Sequence, residues 1–168
     1  MSVRDEVLRR LRELGIGFEE AEHEPLYTME QCAACARELK GVMPKNLFLR
    51  PRRAEKYYLL IQRGEIPFQA SPVSHQIGSP RLGFGDEEAL LRLLRTRPGS
   101  ISPMGLLFDR ANEVTLLVDR ALAEEKRLLF HPCDNRSTLA LSGADFFGKF
   151  LPACGREPVF VRLDERPV

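Results

Sequence analysis

Apolar positions recur along the chain at two periods, and the switches between them predict its elements. Val3, Val7, Leu11 and Leu14 fall at helical spacing, with Leu8 widening the stripe, which predicts an N-terminal helix. Ser2 and Asp5 form a capping-box start for it and Gly15 a stop. Residues 16–23 read as a strand leading into the turn at Glu24-Pro25. Thr28, with Gln31 three residues on, caps a second helix that ends near 39–41. Two strand-like runs follow, 46–50 and 57–61, and the polar stretch 51–56 between them predicts a hairpin. Pro67 and Pro72 interrupt 64–79, where the pattern assigns no element. Asp86 caps a helix carrying Leu90, Leu91, Leu93 and Leu94, which Pro98-Gly99 ends. Residues 100–109 read as strand and loop, and strands are predicted at 114–118, 127–131 and 137–141. Ser142 and Asp145 open a last helix bearing Phe146, Phe147, Phe150 and Leu151, and 158–163 is a closing strand.

Helices interspersed with many short strands, several in hairpins, argue against a regular doubly wound parallel sheet. They predict an α+β fold, a mixed sheet with helices packed on it. No repeat or linker divides the 168 residues, which predicts one domain over 1–168. Composition adds three constraints. With 43% hydrophobic and 29% charged residues the chain is globular in type. A net charge of +1 provides no global cationic field, so contact with nucleic acid has to be a local patch. A charged N-terminus and the lack of a long apolar run predict no membrane association. The expected compartment is the cytoplasm, where the four cysteines stay reduced.

Three polar features carry candidate chemistry. Lys45-Asn46, after Pro44, stands at the entrance of an otherwise apolar strand. An ammonium at a sheet rim is usually solvated; held beside a pocket it binds an anion or a developing oxyanion, and Asn46 adds a donor and an acceptor. Gly99-Ser-Ile-Ser-Pro103, followed by Met104-Gly105, can aim backbone N–H groups at a ligand, but it lacks the lysine and spacing of a P-loop. His131, in Phe130-His-Pro-Cys-Asp-Asn135, ends an apolar strand with Thr138 on the next one. His23, in a Glu-His-Glu-Pro turn, and His75 are weaker candidates, and His23 reads as exposed. Cys32 and Cys35 form a C-x-x-C within a helix. Zinc held by these two with His131 and Cys133 lacks a second cysteine pair, so buried reduced thiols are the expectation. Basic residues cluster at Arg50, Arg52, Arg53 and Lys56 and again at Arg81, Arg92, Arg95 and Arg97; either group suits a few phosphates.

Taken in order, these features resemble one family. Lys45-Asn-Leu-Phe-Leu-Arg50 with Tyr57-Tyr-Leu is similar to the lysine strand of the YbaK/ProX family of prolyl-tRNA editing domains. Arg81-Leu-Gly-Phe-Gly85 with Pro98-Gly-Ser-Ile-Ser-Pro-Met-Gly-Leu106 resembles its middle block and G-x-x-x-P loop. Phe130 to Asn135 resembles its C-terminal block and His23 to Thr28 its N-terminal turn, so the likeness spans about residues 3 to 163. Cys133 stands where the family commonly has an aliphatic residue, and Gly83 and Gly85 replace small residues.

The resemblance implies a mixed open and half-barrel sheet with surrounding helices. It implies hydrolysis of mischarged Ala-tRNA(Pro) in trans, without metal or cofactor, after release from prolyl-tRNA synthetase. Cysteinyl-tRNA(Pro), the substrate of the YbaK branch, and a non-catalytic tRNA- or synthetase-binding module are the alternatives. Residue by residue it implies catalytic roles for Lys45, Gly99 and His131, and an aminoacyl site of Asn46, Leu47, Ser100, Ser102, Pro103 and Asn135. Arg50 and Arg81 are the expected contacts to the tRNA acceptor end.

Overall fold

The computed structural model describes residues 1–164. In chain order the elements are α1 (Val3–Glu13), β1 (Glu19–Glu22), α2 (Met29–Leu39), β2 (Lys45–Pro51), β3 (Tyr57–Gln62), α3 (Ala70–Gln76), β4 (Leu82–Phe84) and α4 (Glu87–Leu94). Then come β5 (Val114–Asp119), β6 (Arg127–Phe130), β7 (Ser137–Ser142), a helical stretch α5 over 143–153 and β8 (Val159–Val161). The strands form two open sheets, β1-β7-β6 and β4-β2-β3-β5-β8. β3 pairs parallel to β5 and β5 parallel to β8, and every other pairing is antiparallel, so the architecture is mixed α+β.

Side-chain parity explains the layering. Tyr57, Leu59 and Ile61 of β3 and Val114, Leu116 and Val118 of β5 point into the main core with α1, α4 and the Phe146–Phe150 segment. Tyr58, Leu60 and Leu117 point the other way, onto Ile66 and the α3 residue Val73. The central strands are therefore apolar on both faces and read as continuous hydrophobic runs. The smaller sheet gives Leu128, Phe130, Leu139 and Leu141 to the main core and Leu129 and Ala140 to a third cluster under α2, with Cys35 and Leu39.

All four caps read from the sequence form: Ser2, Thr28, Asp86 and Ser142 each accept from the backbone N–H three residues on. The structure corrects four element assignments. β1 covers only the four residues that pair with β7, because Ile16 turns into the main core instead of extending the strand. α3 forms despite Pro72, which occupies the first helical turn, where a missing N–H has no intrahelical partner to lose. Leu82–Phe84 is an edge strand on β2. The region 100–109 contains a 3₁₀ helix, Pro103–Leu107, because Ser102 Oγ caps the Met104 N–H at 3.1 Å and proline presets the first helical position. Gly105 is required there, since a Cβ would come within 2.4 Å of the Leu94 carbonyl. That contact presses the loop carrying Gly99 onto the end of α4.

Candidate active site

Between the start of β2, the 98–101 loop and the end of β6 lies a cavity of about 200 Å³. Its wall brings together three of the sequence-predicted residues, Asn46, Gly99 and His131, with Cys32, Met43, Pro44, Pro98, Ile101, Leu129 and Phe130. Most of the wall is apolar, so the few polar groups stand out. Asn46 Oδ1 is buried and has no hydrogen-bond partner among the described residues, which leaves a carbonyl acceptor available to a donor on a ligand.

Pro98 and Gly99 occupy the middle of a β-turn that the Ser100 N–H closes on the Arg97 carbonyl at 2.9 Å. Gly99 has φ +133°, a conformation that a residue with a Cβ adopts only under strain. With Ser100 committed to the turn, the N–H groups of Gly99 and Ile101 donate to no described residue. Two free amides on either side of Ser100 at a cavity wall are suited to an oxyanion.

His131 is held by the strand it ends. Its Nδ1 lies 2.7 Å from the Ser137 carbonyl, and because a carbonyl only accepts, that nitrogen carries the proton. The neutral ring therefore presents Nε2 as an acceptor. Burial pushes the His131 pKa below the ordinary imidazole value, His23 adds to the shift, and the Ser137 hydrogen bond opposes it. On acidification the unfolded chain then takes up this proton first, near pH 6.5, while the folded chain resists until lower pH, so His131 removes stability as the pH falls through that window. Urea unfolding at neutral and mildly acid pH should show a smaller acid loss for His131→Gln than for the parent chain. An equal loss in both would mean that the ring titrates alike folded and unfolded.

Lys45 does not line the cavity. Its Nζ donates to the Ile66 carbonyl at 2.9 Å, on the α3 side of the sheet, because adjacent strand residues face opposite ways and Asn46 takes the cavity side. Leu47 shares the Lys45 face and packs with the α3-side cluster. Ser102 and Pro103 are buried in the 3₁₀ cap. Ser100 and Asn135 lie in a second groove of about 520 Å³ that meets the cavity at Gly99 and is flanked by Arg4, Arg95, Arg97 and Arg136. Arg50 bonds Asp86 at 3.3 Å and, with Arg52, Arg53 and Arg81, lines a basic groove of about 800 Å³ at the far end of β2, where Arg50 lies about 13 Å along the strand from Asn46.

The cysteines do not converge. Cys32 faces the cavity, Cys35 packs under Leu129, and Cys133 is buried with its thiol on the Leu94 carbonyl and its pKa raised by burial. Among the described residues no group of three His, Cys, Asp or Glu side chains is placed to hold a metal ion. His23, a weaker candidate read from the sequence as exposed, is half-buried and bonds Thr138 Oγ1 through Nε2 at 2.7 Å. Its partner lies 115 residues away, so no local signal marks the bond.

Comparisons with known proteins identify the family and the fold. The aminoacyl-tRNA editing domain model matches residues 23–148, which include every wall residue of the cavity. The chain belongs to the aminoacyl-tRNA editing domain family. It is 32% identical over 145 residues to the prolyl-tRNA editing protein ProX of Acetoanaerobium sticklandii, covering 86% of this chain and 88% of that one. It is 32% identical over 166 residues to the mouse prolyl-tRNA synthetase associated domain-containing protein 1, covering 96% and 97%. The crystal structure of a candidate trans-editing enzyme for prolyl tRNA synthetase superposes with a TM-score of 0.73 at 16% identity over 98% of this chain and 99% of that one, which establishes the shared fold.

Proposed function

We propose that this chain removes alanine from mischarged Ala-tRNA(Pro) in trans, in the cytoplasm, as a carboxylic ester hydrolase that meets prolyl-tRNA synthetase only transiently. One observation carries the reading: the unpartnered Asn46 carbonyl, two free loop amides and a neutral His131 share a single small cavity. An aminoacyl ester is already activated, so positioning, water and oxyanion stabilisation suffice. The α-ammonium of the aminoacyl group donates to Asn46 Oδ1. The carbonyl oxygen lies against the Gly99 and Ile101 N–H groups. His131 Nε2 accepts from the attacking water or from the terminal ribose hydroxyl that orients it. At about 200 Å³ the cavity is below the roughly 300–1,000 Å³ usual for drug-sized ligands, which favours the smallest acyl groups. Arg50 and Arg81 hold the acceptor stem, Arg50 lying about 13 Å along β2 from Asn46, and Arg97 stands beside the exit at Gly99.

The test is amino-acid release from Ala-, Cys-, Ser- and Pro-tRNA(Pro) by the full chain. Alanine is expected to leave fastest, with proline slower by roughly 10–200-fold from size exclusion. Equal release of alanine and proline, or release of neither, would refute the reading.

A further inference from the structure

His23 and His131 are joined through one buried hydroxyl. His23 Nδ1 lies 2.8 Å from the Glu24 carbonyl, so this nitrogen is the donor and Nε2 is the acceptor of the neutral ring. Thr138 Oγ1, fully buried, lies 2.7 Å from that Nε2 and must donate to it. The Thr138 oxygen is then left with only lone pairs to offer the His131 Nδ1–H, 3.4 Å away, whose main acceptor is the Ser137 carbonyl at 2.7 Å. Every proton in this chain of bonds points away from the cavity. The two rings meet edge to face with centroids 6.2 Å apart.

A proton arriving at His23 reverses the pattern. Nε2–H then needs the Thr138 oxygen as acceptor, and the hydroxyl hydrogen must turn toward a His131 edge that already carries one. His23 can receive that proton, because it lines a surface notch with Arg4 of α1, Glu22 of β1, and Asp134 and Arg136 of the following loop. Those four charges are consumed in pairs, Arg4–Glu22 at 2.6 Å and Arg136–Asp134 at 2.8 Å. Glu20 of β1 pairs with Arg4 at 2.7 Å and accepts from Ser137 Oγ; Glu24 follows His23 in the chain and offers its backbone carbonyl.

We infer that His23 is a positioning residue of the editing site, holding His131 through Thr138 so that protonation at the surface notch disengages the cavity imidazole. The inference rests on the deacylase reading, and its test separates the two. Alanine release from Ala-tRNA(Pro) is followed from about pH 5.5 to about pH 8 for the parent chain, His23→Ala, His23→Gln and Thr138→Val. Loss of the bridge in His23→Ala and Thr138→Val should lower kcat by roughly tenfold with KM unchanged, as loss of a residue that orients an imidazole does. Glutamine at 23 accepts from Thr138 but takes no proton, so His23→Gln should keep kcat at neutral pH and lose less of it on acidification. Long-range ¹H–¹⁵N spectra of His131 give a readout independent of turnover: the Ser137 carbonyl keeps the Nδ1–H tautomer throughout, and loss of the Thr138 oxygen shifts the Nδ1 resonance in Thr138→Val. An inactive parent chain refutes the deacylase reading and leaves the spectra to decide this one. An active parent whose pH profile and His131 spectrum are unchanged in all three variants overturns the role of His23.

Discussion

Replacing Lys45 with alanine should leave a folded protein whose rate on Ala-tRNA(Pro) is lower by about 10²–10³-fold, the size of effect seen when one oxyanion donor is removed. Folding should survive because the contact made by Lys45 is duplicated. Gln62 Nε2 donates to the same Ile66 carbonyl at 2.8 Å, so truncating the lysine leaves that acceptor satisfied. Chemistry should not survive, because the ammonium forms no ion pair among the described residues. It is an uncompensated charge on a flexible four-carbon stem, one residue from Asn46, at the open end of β2. The expected loss requires the side chain to leave Ile66 and turn around the strand end to the cavity mouth, where the developing oxyanion and the terminal phosphate carry negative charge. Lys45→Arg keeps the charge but exchanges a point donor for a planar fork and should recover only part of the rate. Single-turnover deacylation alongside thermal melts checks this: full activity in Lys45→Ala removes the amine from the mechanism, and a large fall in melting temperature makes it a structural lysine.

The position of that lysine marks where the sequence stops being legible. Caps and apolar runs are local, and Ser2, Thr28, Asp86 and Ser142 declare their helices within four residues. Three cavity residues, on β2, in the α4–3₁₀ loop and just past β6, are also recognisable, because glycine before a proline-capped turn and a histidine at a strand end are local signals too. The face of β2 that each side chain takes is a matter of parity. The twofold period separates Lys45 and Leu47 from Asn46, so a motif of consecutive residues cannot place all of them in one pocket. Long-range partners are less legible still. Nothing near His23 announces Thr138, and nothing near Pro72 reveals that it falls in a first helical turn until Ile66 and Val73 are seen covering the outer sheet face.

The largest stability loss should come from a pair remote from the cavity, Asp109 and Arg156. Both side chains are buried and in direct contact through Arg156 Nη2 and Asp109 Oδ2. Asp109 also accepts the N–H groups of Glu113 at 3.1 Å and Val114 at 2.8 Å, which sets the start of β5. The guanidinium further donates to the carbonyls of Val114 at 3.1 Å and Cys154 at 2.7 Å, tying the end of α5 to that strand. Asp109→Ala strands a buried guanidinium and two strand-initiating amides, a change that costs about 3–5 kcal/mol. In a domain of this size each kcal/mol is worth about 2–4 °C, so the melting temperature should fall by roughly 6–20 °C. The double variant Asp109→Leu, Arg156→Met leaves no unpaired charge and should recover much of the loss, because apolar replacement of a whole buried pair is often near neutral. β5 lies beside β3 in the sheet that carries β2, so deacylation by Asp109→Ala measured well below its melting point should stay within a fewfold of the parent. A double variant no more stable than Asp109→Ala would locate the stabilisation in the two amide contacts at the start of β5 and not in the ion pair.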